Sequence, residues 1–131
     1  MKRNPKVLLQ SLIDEAVVPF FGEEKIELNG RYGPNGETPL HVFATRGDYE
    51  ACEILISAGA EQNIPAEHGF TALHEAITQG HYAVTELLLS NGADPKMETE
   101  LGKTESLASE HSDIHKLIEP QKSEPGGAGN A

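Results

Sequence analysis

Gly36-Glu37-Thr38-Pro39-Leu40-His41 returns 33 residues later as Gly69-Phe70-Thr71-Ala72-Leu73-His74. The match continues past the motif. Gly47, Leu55, Gly59 and Ala60 are answered by Gly80, Leu88, Gly92 and Ala93 at the same offset. A third, worn copy starts in register at Gly102 and Thr104. A fixed period of this length marks a stack of small helical units, each burying its apolar face only against its neighbours. In such a chain, function is first a question of what the surface grips.

Each copy spells out two helices. Thr38 caps the first, with Pro39 at the opening position, where a missing N–H costs nothing. Leu40, Phe43 and Ala44 form its inner stripe, and Gly47 supplies the left-handed residue that ends it. A second helix turns Ala51, Cys52, Leu55 and Ile56 inward and ends at Gly59. The next copy uses Thr71, Leu73, Ala76 and Ile77, stops at Gly80, then uses Val84, Leu87 and Leu88 before Gly92. In the third, Leu107, Ala108, Ile114, Leu117 and Ile118 keep the pattern once about three residues are taken as deleted. Asn29 to Gly36 is dense in turn formers and predicts a projecting, hairpin-like loop. Upstream, Asn4 and Pro5 open a further helical pattern, a degenerate unit over 5–29 that closes the N-terminal end of the stack. Residues 120–131, with Gly126, Gly127 and Gly129, have nothing to pack and predict a disordered tail.

These motifs, each followed by a glycine-stopped helix pair and Gly-Ala, resemble ankyrin repeats. The resemblance implies an all-α solenoid of helix-turn-helix units with projecting finger loops. It divides one domain, 1–119, into an N-terminal cap (5–29), repeats at 30–62 and 63–95, and a shortened C-terminal cap (96–119). In the family the threonine caps the first helix and the histidine ties neighbouring units together; here these are Thr38, Thr71 and Thr104, with His41 and His74. The third unit departs from the pattern: Glu105-Ser106 stands where Pro-Leu is expected, and no histidine follows. Family partners bind finger tips and the exposed side of each first helix. Those positions are Pro34, Asn35, Glu37, Thr45 and Arg46, then Glu67, His68, Phe70, Thr78 and Gln79, then Glu100, Leu101 and Lys103, with Arg31 and Tyr32 on the first finger. Tyr32 and Phe70 are candidate interface anchors. The alternative is packing, Phe70 against the next finger and Tyr32 against the N-terminal unit.

Composition narrows the partner. The net charge of −11 sits entirely on residues 47–119, which hold fourteen acids against three lysines. Such a surface repels nucleic-acid phosphates and anionic lipid and draws in a basic protein. No apolar run reaches bilayer length, and the N-terminal stretch is too polar for a signal-peptide core. Cys52 is the only cysteine, so no intrachain disulfide forms and a cytoplasmic setting is expected. It falls on an inward stripe between Glu50 and Glu53, which disfavours the thiolate a nucleophile needs. His111 and His115 stand at helical spacing, but no third ligand of obvious geometry follows, so no metal is expected. No carboxylate pair is framed for acid-base work, and Gly126-Gly127-Ala128-Gly129 lacks the strand and helix of a phosphate loop. The expectation is a non-catalytic protein-binding module without cofactor, monomeric when unbound, that inhibits or masks a basic partner. Small acidic ankyrin proteins resemble the immunity partners of bacterial toxins. A scaffold subunit is the alternative, and a metal-dependent enzyme the remote one.

Overall fold

The computed structural model describes residues 9–14 and 27–118. Its helices are α1 (residues 9–14), α2 (Pro39–Arg46), α3 (Tyr49–Ser57), α4 (Ala72–Thr78), α5 (Tyr82–Ser90), α6 (Thr104–Leu107) and α7 (Ser112–Ile118). Among the described residues there are no strands. Two isolated antiparallel bridges, Tyr32 with Glu37 and Thr99 with Gly102, pinch the loops before α2 and α6. Most of the N-terminal cap and the whole 120–131 tail lie outside the described residues.

The local rules operate as the sequence implies. The Thr38 hydroxyl accepts from the His41 amide, the His41 ring accepts from the Thr38 amide, and Pro39 fills the first turn. Thr71 and His74 build the same reciprocal cap on α4. Gly47 takes φ 74° at the end of α2, a left-handed value that a side chain resists. Asp48 then accepts from the Ala51 amide at 3.1 Å and starts α3.

The helices form two layers. α2, α4 and α6 pack side by side in one; α3, α5 and α7 lie behind them in the other. Between the layers Leu40, Phe43, Leu55, Leu73, Ile77, Val84, Leu88 and Ile114 are fully buried. Leu12 and Ile13 of α1 join the same core. Each large side chain so placed contributes about 1.5–3 kcal/mol. Cys52 is also sealed in this core, and burial together with Asp48 pushes its thiol up to about 12.

The third unit corrects one expectation. Thr104 does not cap its helix. It is the first residue of α6, the cap position falls on Lys103, and no side chain caps the end. Instead the Thr104 hydroxyl donates to the Met97 carbonyl at 3.2 Å. No histidine stands three places after Thr104, so the reciprocal bond of the first two units has no partner here. α6 runs for four residues where α4 runs for seven, so the deletion falls within the first helix of the pair.

Candidate functional site

The layer of α2, α4 and α6 is held in line by histidines that cross from one unit to the next. His41 Nε2 donates to the Phe70 carbonyl at 2.9 Å. His74 Nε2 donates to the Met97 carbonyl, also at 2.9 Å. The loops are tied in the same direction. Glu67 N–H donates to the Asn35 carbonyl and Glu100 N–H to the His68 carbonyl, at 2.9 and 2.8 Å. The finger loops therefore stand in a fixed row beside the first helices.

This row and the helices enclose a groove of about 250 Å³, lined by Asn35, Glu37, Glu67, His68, Phe70, Glu75 and Leu101. No lysine or arginine lines it. Three carboxylates thus share a partly desolvated space. Burial, reinforced by Glu67, raises the pKa of Glu37. Burial and then Glu37 raise that of Glu75, against a smaller opposing hydrogen bond from Thr45. Both shifts come first from burial and then from a neighbouring carboxylate. His68 sits at the rim with φ 63°, its Nδ1 3.2 Å from Glu100 and its Nε2 3.5 Å from Glu67.

Six of the sequence-derived contact residues meet in this groove: Asn35, Glu37, Glu67, His68, Phe70 and Leu101. The others lie elsewhere. Thr45 and Arg46 end α2, and Thr78 and Gln79 end α4. The Thr45 hydroxyl donates to the His41 carbonyl, Thr78 to the Glu75 carbonyl, and the Arg46 guanidinium lies 5.2 Å from the centre of the Phe43 ring. Pro34 is exposed in the first finger and Lys103 at the start of α6. Arg31 reaches back to the Gly36 carbonyl at 3.3 Å and forward to the Pro65 carbonyl, so it struts two loops.

Of the two readings of each aromatic, packing is the one observed. Phe70 is only 9% exposed and packs edge-on to His74, ring centres 5.7 Å apart. The Tyr32 hydroxyl turns back to accept from the Glu27 amide at 2.6 Å, and its ring packs on the core. The exposed apolar side chain lining the groove is Leu101, at 65%. Glu75 was missed. Its signal was available: it stands where the preceding unit carries Val42, a charge in a position the first copy makes apolar. Of the histidine pair, the His111 ring lies over Gly80, 2.8 Å from where a Cβ would sit. Among the described residues no three His, Cys, Asp or Glu side chains converge as a metal site would require. No helix among them is long and apolar enough to cross a membrane.

No curated protein matches the chain. A family model described as ankyrin repeats (3 copies) matches residues 5–99. Ankyrin repeats mediate protein–protein interaction. With the capped helix pairs, the two layers and the histidine links all in place, this match shows that the chain belongs to the ankyrin-repeat family.

Proposed function

We propose that the chain is a non-catalytic module that holds a basic protein partner in the groove of Glu37, Glu67 and Glu75, and that occupancy inhibits or masks that partner. The observation that carries this is three carboxylates lining one groove with no lysine or arginine among the lining residues. A lysine or arginine entering the groove would relieve their repulsion and add a charge-assisted bond. Leu101, exposed on the rim, gives the partner an apolar contact beside the charged one. The net charge of −11 speeds the encounter from a distance. A toxin whose basic active site is neutralised by one monomeric copy of this chain, in the cytoplasm, fits this chemistry.

The test is capture from the native source on immobilised chain, with the retained proteins identified. A basic protein should be retained, and less of it as salt is raised. Glu37→Gln with Glu75→Gln should weaken its retention at least tenfold, a change of ~1.4 kcal/mol. Adding the chain in equal amount should suppress the captured protein's activity. Retention of acidic proteins only, or capture unchanged by the double variant, would remove the reading.

A further inference from the structure

We propose that Asn35–Gly36 is a self-modifying site, where the folded chain turns the amide of Asn35 into a carboxylate beside the acidic groove. Three asparagines are followed by glycine: Asn29, Asn35 and Asn91. Such a pair favours attack of the glycine nitrogen on the asparagine side chain, because no Cβ crowds the approach. The fold treats the three differently. Asn29 is held at both ends of its amide, Nδ2 donating to the Gly59 carbonyl at 3.4 Å and Oδ1 accepting from the Glu61 amide at 2.8 Å. Asn91 Nδ2 donates to the Leu87 carbonyl at 2.8 Å. Asn35 stands exposed on the first finger and lines the groove, and among the described residues no hydrogen bond holds its side chain. Of the three, only Asn35 can swing its Cγ onto the next nitrogen without first breaking a side-chain bond.

The backbone around Asn35 favours the reaction. The nucleophile is the Gly36 nitrogen once it has lost its proton. Glu67 N–H donates to the Asn35 carbonyl at 2.9 Å. That carbonyl is conjugated with the Gly36 nitrogen, so the bond draws charge away and stabilises the deprotonated amide. Arg31 supplies a cation beside it. Its Nε donates to the Gly36 carbonyl at 3.3 Å, and the guanidinium comes within 3.6 Å of where a Gly36 Cβ would sit. Two features oppose: Gly36 N–H donates to the Gly33 carbonyl at 3.1 Å, and Glu37 follows in the chain. The first is common to all three sites, since Gly30 donates to the Glu27 carbonyl and Gly92 to the Leu89 carbonyl. The Asn91 carbonyl is also bonded, by the Gln62 amide, so there the tied side chain makes the contrast.

The step balances without any redox change. Hydroxide from solvent takes the Gly36 amide proton, and the nitrogen bonds to Asn35 Cγ. The Cγ–Nδ2 bond breaks, and Nδ2 leaves as ammonia with a proton from water. A five-membered succinimide remains. Water opens it at Cγ to give aspartate, or at the Asn35 backbone carbonyl carbon to give the isoaspartyl form. Net, water is consumed and ammonia released. Either product places a further carboxylate beside Glu37, Glu67 and Glu75. The isoaspartyl form also adds a methylene to the backbone and displaces the carbonyl that Glu67 N–H holds. The modification does not depend on the groove having a partner. If the groove binds as proposed above, the aspartyl form raises its charge toward a basic protein as the chain ages.

The test needs no partner, so its failure is separable from failure of the binding proposal. The whole chain is incubated in mildly alkaline buffer, once folded and once in urea, and peptide mapping follows the amide-to-acid mass gain at each asparagine. In urea the three should convert at comparable rates. Folding should slow Asn29 and Asn91 at least ~10-fold and leave Asn35 near its unfolded rate, because only the first two must break side-chain bonds to react. Arg31→Gln should slow Asn35 about 5-fold in the folded chain, the worth of one close charge in water, and change nothing in urea. Should that variant not fold, the wild-type comparison decides alone. Asn29 or Asn91 converting as fast as Asn35 in the folded protein, or folding slowing all three alike, overturns the site. A folded Arg31→Gln chain that converts no more slowly than wild type overturns the part assigned to the guanidinium.

Discussion

Gly47 and His81 show how much rests on single positions. Gly47 has φ 74°, and a Cβ there would lie 2.5 Å from His81 Nδ1. His81 needs that space, because its Nε2 donates to the Thr45 carbonyl of the preceding unit at 3.0 Å. One glycine therefore ends a helix and admits the histidine that starts the outer helix of the next pair. Gly80, with φ 78°, admits His111 in the same way, so the glycine–histidine contact repeats along the stack. Gly47→Ala should destabilise the protein by about 1–3 kcal/mol, through left-handed strain and the displaced ring together. Thermal denaturation would read this as a lowered midpoint. An unchanged midpoint would mean that the ring yields at no cost.

Among the elements, α6 is the weakest by construction. It has four residues and no side-chain cap, and the cap position belongs to Lys103, whose side chain can only donate. Its backbone there is already extended, at φ −78° and ψ 157°. Lys103→Ser should place an acceptor at the orphan amides and stabilise the fold by about 1 kcal/mol. Urea unfolding would register it as a higher midpoint with an unchanged slope. The loops that join one helix pair to the next hold a second set of ties. Asn29 Oδ1 accepts from the Glu61 amide at 2.8 Å, and Asn63 Oδ1 from the Asp94 amide at 2.9 Å. The two asparagines are one place off the period, with Gln62 standing on it, so a strict 33-residue comparison does not pair them.

For the whole molecule, the consequence is shared stability. α1 to α7 bury their apolar sides in one continuous cluster, and each pair is covered by the next. Leu73, 0% exposed in the middle of the stack, touches that shared core. Leu73→Ala should cost about 2–5 kcal/mol. Domains of this kind hold only ~5–15 kcal/mol in total, so the loss should weaken every helix together. Helical circular dichroism and hydrogen exchange should move in concert. Exchange quickened in α4 and α5 alone would show that the units unfold independently.

The sequence by itself determined the helix pairs, their caps and stops, the stacking period and the sign of the surface charge. Each depends on residues close in the chain, or on a spacing that can be counted. Thr38 beside His41 is a cap whatever surrounds it, and a glycine after an apolar stripe is a stop. Only the tertiary structure decided which side chains remain available to a partner. Phe70 and Tyr32 looked equally able to project or to pack, and the choice fell to contacts with His74 and with Glu27, one in the neighbouring helix and one before the finger. Glu75 joined Glu37 and Glu67 because three separate segments bring them to one groove. Spacing fixes where a residue sits on its own helix, but burial and mutual repulsion depend on what packs against that helix from elsewhere in the chain.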